Sequence, residues 1–93
     1  MHFEWDENKN RLNIRKHGIN FADITSIFNS LMLVSIDDMN IHMETRWKGI
    51  GLIHQLIIVI IYTERKNEVT RIISARKATS RERKLYEQYL QRK

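Results

Sequence analysis

The sequence contains no cysteine and no proline, and only three glycines among its 93 residues. Without cysteine there is neither a disulfide framework nor a thiolate metal site, and a reducing cytoplasm is the expected setting. No Gly/Ser-rich linker, repeat or low-complexity tract divides the chain, so residues 1–93 are read as one domain. The longest apolar run, residues 56–62, has seven members, whereas a membrane-spanning helix needs about 20. Nothing at the N-terminus combines a basic region, an apolar run and a small-residue cleavage site. A chain this short buries only about 60–65% of the surface its unfolded form exposes, which leaves room for one core. A deep cofactor cavity or a two-domain cleft is excluded, and no cofactor is expected.

Charge is distributed unevenly. Residues 1–64 carry six Lys/Arg against eight Asp/Glu, whereas residues 65–93 carry ten against three. A basic block of this kind is the electrostatic footprint of a protein that approaches a polyanion. On charge alone, a solvated basic helix or a docking face for an acidic protein fits equally well.

The pattern of apolar residues predicts an α+β fold. Phe3 and Trp5 alternate with polar neighbours as in an edge strand, Asp6 can cap a polar helix over 7–17, and Gly18 stands where a left-handed C-terminal residue is wanted. Asn20 is a second cap, before a helix expected over about 21–29 with Phe21, Ile24, Ile27 and Phe28 inward. The period then changes to 2 from Leu31, and residues 37–44 read as a loop. Strands over 46–53, 55–64 and 69–76 are joined by short turns at His54-Gln55 and Lys66-Asn67-Glu68, which makes them an antiparallel meander. The second is apolar on both faces and is therefore central. Thr79-Ser80-Arg81-Glu82 is a capping box opening a helix over 80–91, with Leu85, Tyr86, Tyr89 and Leu90 as its apolar stripe. The architecture expected is helices against a four- or five-stranded, mainly antiparallel sheet.

Metal-free RNA cleavage requires a group to deprotonate the ribose 2′-OH, cations to stabilise the phosphorane, and an acid for the leaving 5′-oxygen. Lys9, Glu64, Arg65, Arg71 and Arg76 are the candidates for these roles, with Tyr62, Lys77, Arg81 and Arg83 as substrate contacts. Strict alternation sets Arg71 and Arg76 on opposite faces of their strand unless a bulge intervenes. Arg76 also appears short of carboxylates, since Glu82 is engaged in its capping box. Arg/Glu neighbours on adjacent strands are more often cross-strand ion pairs than chemical groups. The histidines His2, His17, His42 and His54 show no ligand-like spacing, so no metal site is expected. His42 reads as an ordinary loop histidine. Gly49-Ile50-Gly51 lacks the rest of any nucleotide fingerprint and instead suggests a bulge or a close backbone approach within a strand. Trp5 and Trp47 are read as core or interface residues.

The ordered set Phe3-Glu4-Trp5-Asp6, Lys9, Asn13, Lys16-His17-Gly18, Phe21, Phe28, Glu44-x-Arg46, Ile50-Gly51, Tyr62-Thr63-Glu64-Arg65, the block from Arg71 to Thr79, and Glu82-Arg83-x-x-Tyr86 resembles the BrnT family of bacterial type II toxin–antitoxin systems. The resemblance spans nearly the whole chain. It implies a RelE-like fold, an endoribonuclease that arrests translation, and a cognate BrnA antitoxin with a ribbon-helix-helix DNA-binding domain. RNA and that antitoxin are the implied partners, with DNA reached only through the antitoxin complex and a hetero-oligomer as the resting form. The segment between Gly51 and Leu56 is shorter than is common in the family, and residues 56–61 are unusually apolar. Two other readings remain: a non-catalytic RNA- or protein-binding domain with the same basic face, and a DNA-binding repressor, for which no helix-turn-helix pattern is evident.

Overall fold

A computed structural model describes residues 1–38 and 44–92. The elements run β1 (His2–Glu4), α1 (Glu7–His17), two short 3-10 helices (Phe21–Asp23 and Thr25–Asn29), β2 (Leu33–Asp38), β3 (Arg46–Ile53), β4 (Leu56–Arg65), β5 (Val69–Lys77) and α2 (Ser80–Gln91). One five-stranded sheet has the order β1-β5-β4-β3-β2. The β3–β4–β5 meander is antiparallel as expected, and β1 joins the outer edge of β5 in parallel, so the sheet is mixed. Apolar on both faces, β4 sits at the centre. Ile58, Ile60 and Tyr62 look toward α1 and the 3-10 helices, while Ile57, Val59 and Ile61 pack under α2. Among the described residues no helix is long and apolar enough to cross a membrane.

Three expectations are corrected. The helix over 21–29 is instead the pair of 3-10 helices, broken at Ile24 with φ −111° and ψ 1°. Its buried residues Phe21, Ile24 and Ile27 recur every third position, which matches three residues per turn rather than 3.6. The strand expected from Leu31 begins at Leu33 and runs on through Asp37 and Asp38; residues 39–43 of the expected loop, with His42, lie outside the described residues. Finally, Leu85 is exposed, and α2 presents Glu82, Tyr86 and Tyr89 to the sheet instead of a purely apolar stripe.

The first helix is fastened by polar groups. Leu12 and Ile14 are exposed, while Asn10 and Asn13 are buried. Asp6 caps α1 by accepting from the Asn8 and Lys9 amides, and Gly18 closes it at φ 72°, a conformation that costs glycine little. The Asn10 carboxamide donates to Asn20 Oδ1 (3.0 Å) and accepts from the Phe21 amide (2.9 Å). Asn13 donates to the Ile19 carbonyl (3.0 Å) and accepts from the Ala75 amide (3.1 Å). These side chains supply the partners that buried backbone groups require.

Gly49 and Gly51 are the close approach that the strand pattern suggested. A Cβ at Gly51 would collide with Ile27 Cγ2 beneath it, whereas at Gly49 the obstacle is the Met32 sulfur at 2.7 Å. A thioether can swing aside and a packed, branched Ile cannot. Gly51→Ala is therefore expected to destabilise the fold by about 1–3 kcal/mol and Gly49→Ala by less, as read from urea midpoints; equal costs would show that the Ile27 contact is not limiting.

Candidate functional site

One surplus residue in β5 decides the geometry. Ile61 pairs with Ser74 and Tyr62 with Ile72, so Ile73 bulges out of the ladder. Beyond it the alternation is reset. Arg71 pairs with Thr63, Ser74 with Ile61 and Arg76 with Val59, which brings all three to the face beneath α2. Arg71 and Arg76 therefore share a face, and Ala75, fully buried, points into the core on the other side.

Arg76 is not short of carboxylates. Its Nη1 and Nη2 donate to Glu82 Oε1 and Oε2 at 2.7 and 2.9 Å. Glu82 also closes its capping box by accepting from the Thr79 amide at 2.9 Å, and Lys48 Nζ lies 2.6 Å from Oε2. Capping and ion pairing are not alternatives, because two carboxylate oxygens offer about four acceptor directions. Hydrogen bonds from Arg76, then from Lys48 and Thr79, hold the Glu82 carboxyl far below the usual carboxylate range despite its burial. Reciprocally, the hydrogen bond to Glu82 raises the Arg76 guanidinium, with the charge of Asp37 adding a smaller push. Lys48 was not singled out by sequence. Alternation along β3 sets it on this face, but the β3–β4 register that aligns Lys48 with Ile61 cannot be read from composition.

The other candidates separate into groups. Arg71 faces Glu4 across the β1–β5 pair, with Nη1 to Oε2 at 2.7 Å, a cross-strand ion pair. Arg65 pairs not with its neighbour Glu64 but with Glu4 (3.5 Å) and Glu44 (3.7 Å). Glu64 and Arg65 line a cavity of about 270 Å³ with Met1, Glu68, Val69 and Thr70. This end of the sheet is nearly charge-balanced. It lies five residues along β5 from Arg76, roughly 15 Å at strand spacing, too far for one phosphate to touch both ends. Tyr62 is buried in the core, its ring edge-on to Phe28 with centroids 4.9 Å apart; burial, then the charge of Glu64, pushes its phenol pKa up.

Arg76 and Lys48 share Glu82, with Asp37 acting on Arg76 through its charge. Arg81 and Arg83 are exposed on the first turn of α2, Arg83 donating to the Ala78 carbonyl and the Ser80 hydroxyl, while Lys77 is exposed but pairs with Ile58 and so lies on the opposite face from Arg76. Lys9 lies on α1, lining a groove of about 200 Å³ with Lys16, His17, Asn13, Ile73 and Ser74. Ser74 links this groove to the Arg76 face. Among the described residues no group of three or more His, Asp or Glu gathers as metal ligands do.

A family profile described as the ribonuclease toxin BrnT of type II toxin–antitoxin systems matches residues 5–82. A crystal structure of the Brucella abortus ribonuclease toxin BrnT is 32% identical and superposes with a TM-score of 0.67, covering 86% of this chain and 99% of that one. A comparison with curated proteins finds no significant match.

The depressed Glu82 carboxyl has a testable consequence for folding. A carboxylate held down in the folded state contributes stability that is fully present above its ordinary pKa of 4.5 and is lost as pH falls through that value toward the folded one. Urea midpoints measured from pH 7 downward should show a constant gap between the parent and Glu82→Gln until about pH 5, then a gap that shrinks steadily. A gap independent of pH would remove the charge pairing as its source.

Proposed function

Because the chain belongs to the BrnT family of ribonuclease toxins of type II toxin–antitoxin systems, we propose that it cleaves RNA on the α2-covered face of the sheet, around Arg76, without a resident metal. Such cleavage arrests translation, and a BrnA-like antitoxin neutralises it. The observation that carries the assignment is the unequal charge along that face. Arg71 and Arg65 are matched by Glu4 and Glu44, whereas Arg76 and Lys48 share Glu82, whose acceptor directions are already filled, with Arg81 and Arg83 exposed on either side of it along α2.

The proposed reaction consumes neither water nor electrons. The ribose 2′-OH loses a proton, its oxygen attacks the adjacent phosphorus, the P–O5′ bond breaks, and the leaving 5′-oxygen takes up a proton. A 2′,3′-cyclic phosphate and a 5′-hydroxyl result. Arg76 is assigned to the phosphoryl oxygens, where developing charge is greatest and a fixed cation is worth most. Lys9, across Ser74, is assigned to proton transfer or to positioning of the phosphate. Arg71 and Arg65 contact flanking phosphates, with Glu64 beside them, and Lys77, Arg81 and Arg83 contact the strand beyond. Tyr62, enclosed in the core, has no place among the contacts.

Arg76→Ala leaves the Glu82 pairing incomplete and is expected to cost about 1.5–3 kcal/mol, more than an exposed arginine would. Arg76→Lys is the sharper variant, because it keeps a cation on Glu82 but loses the fork that grips phosphate at two points. It should melt close to the parent yet cleave RNA roughly 100-fold more slowly, in excess EDTA as in its absence. A parental rate in Arg76→Lys would overturn the assignment of Arg76, and restoration of EDTA-abolished activity by Mg²⁺ would overturn metal independence. A folded parent that binds RNA and leaves it intact would make the domain a binding module.

A further inference from the structure

We infer that Lys48 is a second substrate-contacting residue, and that Glu82 is the positioning residue that holds Lys48 and Arg76 together as a two-cation clamp for one RNA phosphate. The inference rests on the ribonuclease reading and deepens it.

Donor arithmetic comes first. An arginine carries five N–H groups. In Arg76, Nη1 gives one to Glu82 and one to the Lys77 carbonyl (3.3 Å), and Nη2 gives one to Glu82. Among the described residues the Nε–H and the second Nη2–H take no acceptor, and they lie along the same side of the guanidinium. Glu82 therefore grips the end of the fork and leaves its long edge able to take two oxygens of a phosphate. Lys48 spends one of three ammonium protons on Glu82, which leaves two without an acceptor among the described residues.

Exposure gives the direction in which those donors face. The Glu82 side chain is 9% exposed, while those of Lys48 and Arg76 are 27% and 36% exposed. Solvent meets two cations with their counter-charge behind them. Neutralising Glu82 would require only one cation, and the second adds repulsion against the first. An anion arriving from solvent relieves that repulsion. Asp37 on β2 also acts on Arg76 through its charge, but makes no ion pair with it.

The register brings the pair to one place. Lys48, Ile61 and Ser74 form one rung across β3, β4 and β5, and Ile50, Val59 and Arg76 the next. Glu82, the third residue of α2, reaches down from above and bridges the two rungs. Its four acceptor directions are filled by Arg76 twice, Lys48 and the Thr79 amide, so it is no general base. Its action is through the two cations.

The test uses Lys48→Ala, Lys48→Arg and Glu82→Gln in the full chain. Glutamine at this position still serves a capping box, so α2 keeps its cap while one carboxylate oxygen becomes a donor facing donors. Activity is scored per folded molecule, well below each melting temperature. Lys48→Ala should lower kcat about 100-fold with KM changed less than threefold, and Lys48→Arg should restore most of that loss. Glu82→Gln should lower kcat about tenfold and shrink the further effect of Lys48→Ala, because the two act together. Binding of 2′-O-methylated RNA, which lacks the attacking hydroxyl, is followed against salt in parallel. Its logarithmic slope should fall by about 0.7 in Lys48→Ala, as for one lost single-strand phosphate contact.

Parental kcat and salt slope in Lys48→Ala would overturn the clamp. A Glu82→Gln loss that disappears once folded molecules alone are counted would reduce Glu82 to a structural staple and overturn its positioning role. If the parent leaves RNA intact while Lys48→Ala still shows the smaller slope, the nuclease reading fails and the clamp stands as a phosphate-binding site.

Discussion

The inserted Ile73 in β5 determines which side of the sheet every later side chain of that strand occupies. With strict alternation, Arg76 would point toward Phe21 and Ile24, where a charge without a partner is prohibitively expensive, and Ala75 would face α2. The bulge exchanges them. It survives because its backbone is satisfied from outside the ladder: Asn13 of α1 accepts the Ala75 amide where β1 has already ended. A helix whose apolar residues are exposed is thus held where it is by a hydrogen bond to the strand whose irregularity it supports.

Once Arg76 lies under α2, the placement of that helix follows. The helix is only 12 residues long, too short to be stable by propensity alone. It is tied to the sheet by Glu82 at its first turn and by Tyr86, which packs on Ile50 and Val59 and whose hydroxyl donates to the Leu31 carbonyl at 3.0 Å. Both contacts are polar at their tips and directional, so they set the rotation of the helix as well as its attachment. That rotation exposes Leu85 and turns Arg81 and Lys84 to solvent.

The elements were legible because each rests on local chemistry. Asp6 and Thr79 cap helices, Gly18 ends one, and the β-branched run of β4 declares a central strand. Phe21, Ile24, Ile27 and Phe28 satisfy both the α-helical and the 3-10 period, and only packing chooses between them. The parallel docking of β1 on β5 joins residues 67 positions apart, as Glu4 and Arg71 do, and no local signal announces it. The same is true of the site. Arg76 was legible as a candidate from its residue type and its strand end, but Lys48 was not, because its relation to Glu82 depends on the register of two hairpins at once. A capping box can be read over four residues, which marks Glu82 as a cap, whereas an ion pair across three strands leaves no local signal of its second occupation.

That double occupation has a consequence for reading function in so small a domain. A 93-residue chain has few buried positions, and Glu82 serves simultaneously as cap, as attachment of α2 and as counter-charge to two cations. Deleting it removes all three, and the resulting loss of activity would not distinguish them. The three roles differ in what they require: the cap needs one acceptor oxygen, the attachment needs a side chain of this length, and only the pairing needs negative charge. An amide in place of the carboxylate keeps the first two and removes the third. Cap and attachment therefore separate from charge pairing along the charge of one atom group, although the three cannot be separated by residue.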